Sequence, residues 1–161
     1  MRLLEIAAKA CAVLAGVLLT AITLMTCVSV LGRNTVGWTL VGDFELSGSA
    51  AGAAIALFLP WCQWRRGNII VDFFTAKASA ATQAVLDRLG ALLVALCMAL
   101  LTWRTAMGGL SAWKSQAGSM MVGFPEWIVY CFMVPPIALT AVIALMQGLG
   151  GFGDEQAGAP A

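Results

Sequence analysis

The chain is 161 residues long and 61% hydrophobic, with nine Lys and Arg, eight Asp and Glu, and a net charge of +1. Its mean hydropathy of +0.91 and its apolar share exceed the roughly 45–50% apolar usage of a soluble domain, so the polar surface is too small to cover a globule in water. Near-neutral charge supplies no basic stripe for nucleic acid, and the absence of histidine removes bis-histidine haem ligation, histidine zinc sites and a histidine general base.

A bilayer-crossing helix uses about 20 residues, and four apolar runs of that size follow one another. The fold expected is all-α: an integral membrane domain over 1–147 with spans at about 10–31, 44–63, 84–108 and 126–147. The first run, preceded by Arg2 and Lys9, is too long for a signal core of about 7–15 residues and reads as a retained span. After Gly32 and a polar break at Arg33 and Asn34, the second run opens on Asp43 and Glu45, which suit the positive end of a helix dipole. It carries Gly48 and Gly52 with Ala56 on the same side, a small-residue stripe that lets another transmembrane backbone approach closely. Pro60, Trp61, Trp64, Arg65 and Arg66 close it with residues that settle at a membrane interface.

Residues 68–78, including Ile69, Ile70, Phe73 and Phe74 beside Asp72 and Lys77, are apolar but too short to cross and read as an amphipathic arm on the membrane surface. The third run carries Asp87 and Arg88 in its first turns and Trp103 and Arg104 near its end, with Gly108 and Gly109 expected to stop it. The fourth holds Trp127 and Tyr130 near its start and Pro135 and Pro136 in its middle, where a kink is expected. Residues 148–161 form a glycine-rich tail expected to be disordered. The five cysteines lack a C-x-x-C pair and read as small hydrophobes within the membrane.

With the N-terminus inside, Arg2, Lys9, Arg65, Arg66, Lys77 and Arg88 lie on the cytoplasmic side and Arg33, Arg104 and Lys114 outward. The positive-inside rule therefore favours both termini in the cytoplasm. Arg104, about one turn inside a span, has two readings: it snorkels to lipid phosphates, or it pairs with Glu126, Glu45 or a partner protein. No phosphate-cradling motif, nucleophile elbow or pair of intramembrane carboxylates is present. No enzyme activity, metal or cofactor is expected.

Arg33, the Asp43-Phe44-Glu45-Leu46 opening, Arg66-Gly67-Asn68-Ile69-Ile70-Val71-Asp72, Gly123-Phe124-Pro125-Glu126-Trp127, Tyr130 and Pro135-Pro136 occur in this order across four spans. Together they resemble the small membrane subunit, the DctQ-like component, of tripartite ATP-independent periplasmic (TRAP) transporters. Asn68 stands where that family commonly has histidine, and Leu59-Pro60 where it has small residues. The resemblance implies an inner-membrane scaffold that forms a heterodimer with a large membrane subunit. A periplasmic binding protein delivers an organic anion to that subunit, which moves it inward with sodium ions. It places the substrate-binding residues in the other two subunits.

The alternative is a self-sufficient homo-oligomeric four-helix transporter of the small multidrug exporter kind, which needs a mid-span carboxylate that the first span lacks. A membrane anchor for a redox enzyme is a third reading, weakened by the missing histidines. Candidate contacts to partners or lipid are Arg33, Asp43, Glu45, Gly48, Gly52, Phe73, Phe74, Arg104, Lys114 and Glu126. The outward charges among them, Arg33, Asp43, Glu45, Lys114 and Glu126, are candidates to guide the binding protein.

Overall fold

Hydrophobic runs this long have one stable form in lipid, because every backbone N–H and C=O must find its partner within the segment. The computed structural model describes residues 2–67 and 80–150. In them α1 spans Arg2–Thr35, α2 Asp43–Trp64, α3 Ala80–Ser115 and α4 Glu126–Gly150. All four are long and apolar enough to cross a membrane. At 1.5 Å per residue, the 22 residues of α2 extend about 33 Å, close to the ~30 Å hydrocarbon thickness of a bilayer.

The loops at 36–42 and 116–125 are short and make two antiparallel hairpins, α1 with α2 and α3 with α4. The hairpins meet through α2 and α4. α1 packs on α2, α2 on α4 and α4 on α3, with a small contact between α1 and α4, while among the described residues neither α1 nor α2 packs on α3. The helices therefore stand in a row, α1-α2-α4-α3, and not in a closed bundle. Burial follows from that order: 28% of the apolar window is buried in the inner helices α2 and α4, and 6% in the flanking helices α1 and α3. Leu93, Leu96, Leu100 and Leu101 along α3 are exposed, as lipid-facing side chains are.

Side-chain contacts fix how far each helix is shifted along its neighbour. Ala8 of α1, Trp64 of α2 and Ile143 of α4 form one buried cluster, flanked by Leu4, Trp61 and Leu139. At the opposite end, Ser29 of α1 meets Asp43 of α2. α1 therefore projects past α2 at its Thr35 end. Leu92 of α3 lies against Gly148 of α4 and Trp113 against Trp127, so α3 projects at its Ala80 end.

Two sequence expectations are corrected. Gly108 and Gly109 do not stop the third helix, which runs on to Ser115. They form the flat place on α3 where the Tyr130 ring rests, and a Cβ at Gly109 would stand 2.8 Å from the Tyr130 Cβ. Gly148 to Gly150 are not part of a tail but the last residues of α4. Gly148 is buried because Leu92 lies over it, with its Cγ 2.8 Å from where a Cβ would be. Pro60, Pro135 and Pro136 all lie inside helices that continue past them. The arm at 68–78, with Phe73 and Phe74, and the tail from 151 onward lie outside the described residues.

Candidate functional site

Helices packed together in a bilayer need fixed relations to one another. The polar side chains that would be costly in hydrocarbon supply them here. At the Asp43 end, the Ser29 hydroxyl, fully buried, donates to Oδ2 of Asp43 and joins α1 to α2. One turn deeper, the hydroxyls of Thr26 and Ser47 lie 3.4 Å apart.

The loop between α3 and α4 folds across the row onto the start of α2. It is braced by Ser119 N–H donating to the Phe124 carbonyl at 2.9 Å and Gly123 N–H to the Ser119 carbonyl at 2.9 Å, with a bridge between Gly118 and Pro125. The Met121 N–H then donates to both carboxylate oxygens of Glu45, at 3.1 and 3.3 Å. Gly42 permits this approach. Its φ of +80° is a left-handed conformation that disfavours L side chains, and a Cβ there would collide with Cγ2 of Val122.

At the other end of α2 lies a polar pair that the sequence reading did not single out. Gln63 Nε2 donates to Gln147 Oε1 at 2.7 Å, and Gln147 Nε2 donates to the main-chain carbonyl of Gln63 at 2.9 Å. Both residues are buried, at 5% and 6% exposure, so this pair joins α2 to α4 out of contact with solvent. The signal in the sequence was two glutamines near the ends of otherwise apolar runs. Beside them the Arg65 guanidinium sits 5.8 Å from the centroid of the Trp61 ring, a cation–π placement suited to an interface.

The sequence-derived candidates therefore separate into groups. Asp43 and Glu45 are spent on contacts within the chain, to Ser29 and to the loop. Arg33, Arg104, Lys114 and Glu126 are exposed, and Glu45, one of the partners considered for Arg104, has its carboxylate on the Met121 amide instead. Among the described residues, Gly48 and Gly52 have nothing within 4 Å of an added Cβ, so none of α1, α3 and α4 packs closely there. The closest approaches are at Gly32, against the nearby Trp38, and at Gly42, Gly109 and Gly148, against other helices or the 116–125 loop. The buried polar residues described are Ser29, Gln63, Thr140 and Gln147, none of them charged. Among the described residues, no group of three His, Cys, Asp or Glu could hold a metal ion.

Comparisons with curated proteins and with solved structures find no match. Among protein families, the model for the DctQ component of tripartite ATP-independent periplasmic transporters matches residues 22–152. That match takes in α2, α3 and α4 whole and the last 14 residues of α1, from Ile22 to Thr35. The row of four spanning helices, held by its own polar contacts, belongs to the DctQ family: the chain is the small permease component of a TRAP transporter.

Proposed function

We propose that this subunit is the stationary, non-transporting part of a sodium-coupled importer of an organic anion, paired as a heterodimer with the large membrane subunit. The observation that supports it best is the row itself. Two hairpins are fastened at both ends of α2, by Glu45 to the loop at Met121 and by Gln63 to Gln147, while the buried polar residues described carry no charge. Ion coupling uses polar or ionised ligands at membrane depth, and a row with open faces is suited to lie against a larger partner. Sodium and an organic anion are what the family resemblance implies for the whole transporter.

The placement proposed is multi-pass in the bacterial inner membrane with both termini cytoplasmic, from the six-to-three division of basic residues. Exposed Arg33, Lys114 and Glu126 then face the periplasm, where they guide the transient encounter with the binding protein. Gly48 and Gly52 are offered to the large subunit, as are Phe73 and Phe74 of the arm, with lipid around the remaining surface.

Reconstitution tests the role. Liposomes containing this chain alone should show no substrate-dependent or proton-driven flux, and uptake should require the large subunit, the binding protein and a sodium gradient. Flux by the chain alone would refute the reading. Cysteine labelling from outside, in a background without native cysteines, tests the orientation: position 114 should react and position 77 should not.

A further inference from the structure

Between α3 and α4, at the end where α3 finishes and α4 begins, lies an open groove of about 390 Å³. It is lined on α3 by Ala106, Gly109 and Trp113 and on α4 by Trp127, Cys131 and Pro135. Tyr130, which also lines it, packs on Gly108 and Gly109 and brings the two helices together there. The two indoles meet edge to face, with centroids 4.5 Å apart and planes at 73°.

We propose that this groove seats one phospholipid with a primary-amine head group, an acyl chain in the groove and the head at the two tryptophans. An apolar crevice in a membrane-facing surface does not hold water, which needs several polar partners, so hydrocarbon fills it. Three observations select a lipid over a protein helix. α3 is a flanking helix of the row, with 6% of its apolar window buried, and exposed leucines line it, a surface as apolar as the lipid tails it would face. Trp113 and Trp127 lie within a few residues of Ser115 and Glu126, the helix ends, at the level where indoles sit among head groups.

The third observation is charge. Lys114 follows Trp113 and stands one turn from Leu110, which also lines the groove, and Glu126 precedes Trp127; both charged residues are exposed. Each of the two tryptophans thus has an exposed charged residue next to it in sequence, a cation on α3 and an anion on α4. A zwitterionic head with a phosphate and an ammonium complements that pair, with the phosphate toward Lys114 and the ammonium toward Glu126. This placement holds whichever side of the membrane the loop faces, and so does not rest on the proposed role in transport.

The test uses the full chain co-purified with its large subunit, delipidated and titrated with phosphatidylethanolamine or phosphatidylglycerol, with bound lipids counted by native mass spectrometry. The native complex should retain one phosphatidylethanolamine in preference to phosphatidylglycerol. Filling the groove with Ala106→Phe and Cys131→Phe should lower that occupancy about tenfold, equivalent to ~1.4 kcal/mol. Glu126→Gln should erase the preference between the two head groups while leaving total occupancy in place. Equal occupancy in the filled variant overturns the site, and an undiminished preference in Glu126→Gln overturns the head-group assignment. A photo-crosslinking residue at position 106 decides independently of whether the filled variant assembles: a phosphatidylethanolamine adduct supports the proposal, and a large-subunit adduct overturns it.

Discussion

Gln63 and Gln147, 84 positions apart in sequence, hold each other across α2 and α4 with both amide nitrogens donating inward. The pair sits beside Trp64 and near Ile143 of the buried cluster, where a lone amide would have no water to replace its partner. Replacing either glutamine by leucine should destabilise the subunit by about 1–3 kcal/mol, because it breaks hydrogen bonds within a buried polar pair. Replacing both should cost less than the sum, because each single substitution already breaks the bond the two side chains share. A double-mutant cycle on the thermal stability of the solubilised complex measures this; strictly additive losses would mean that the two side chains act separately.

The loop over α2 has two requirements, and they can be separated. Glu45→Ala removes the acceptor of the Met121 amide, so hydrogen exchange should quicken across 119–123 while the Gln63 end of α2 keeps its protection. Gly42→Ala acts by a different route. At φ +80° the alanine is strained by about 1–2 kcal/mol, and its methyl would meet Val122. Adding Val122→Ala to Gly42→Ala should recover part of the lost thermal stability, since it relieves the collision and not the backbone strain. No recovery would show that the collision does not contribute.

Glycines on two faces should answer differently to the same substitution. Gly109→Val pushes a side chain into Tyr130, whose Cβ stands 2.8 Å from the place a Cβ on residue 109 would take, so α3 should separate from α4 and the purified subunit should lose stability. A Cβ at Gly48 would meet nothing within 4 Å among the described residues, so Gly48→Val should leave the isolated fold unchanged while weakening co-purification with the large subunit. A Gly48→Val chain that still co-purifies in full would remove this residue from the proposed contact.

The four spans were legible because hydropathy reports the transfer of each side chain into lipid, and runs of about 20 apolar residues have few alternatives. The acidic opening of α2 was legible too, from the helix dipole. Which helices are neighbours was not legible, since hydropathy does not record the row order α1-α2-α4-α3. For the same reason Asp43 and Glu45 read as free outward charges, although Ser29 and the Met121 amide take them up. Gly108 and Gly109 carry the chemistry of a helix end, but the Tyr130 ring packed over them makes the same lack of side chains useful inside a helix. Gly48 and Gly52 form the small-residue stripe that stands out in sequence, yet the closest contacts with other helices or the 116–125 loop fall at Gly42, Gly109 and Gly148, where a neighbour's bulk demands it.

A stationary scaffold keeps its internal arrangement while the transporter works. Cysteines placed at positions 63 and 147, in a complex otherwise free of cysteine, can be joined by a short reducible bis-thiol linker that locks α2 to α4. Substrate uptake by proteoliposomes containing the complex, supplied with binding protein and a sodium gradient, is then compared before linking, after linking and after reduction. A scaffold role predicts equal uptake in all three states. Uptake that falls on linking and returns on reduction would contradict it, because the helices of this subunit would then have to move during transport.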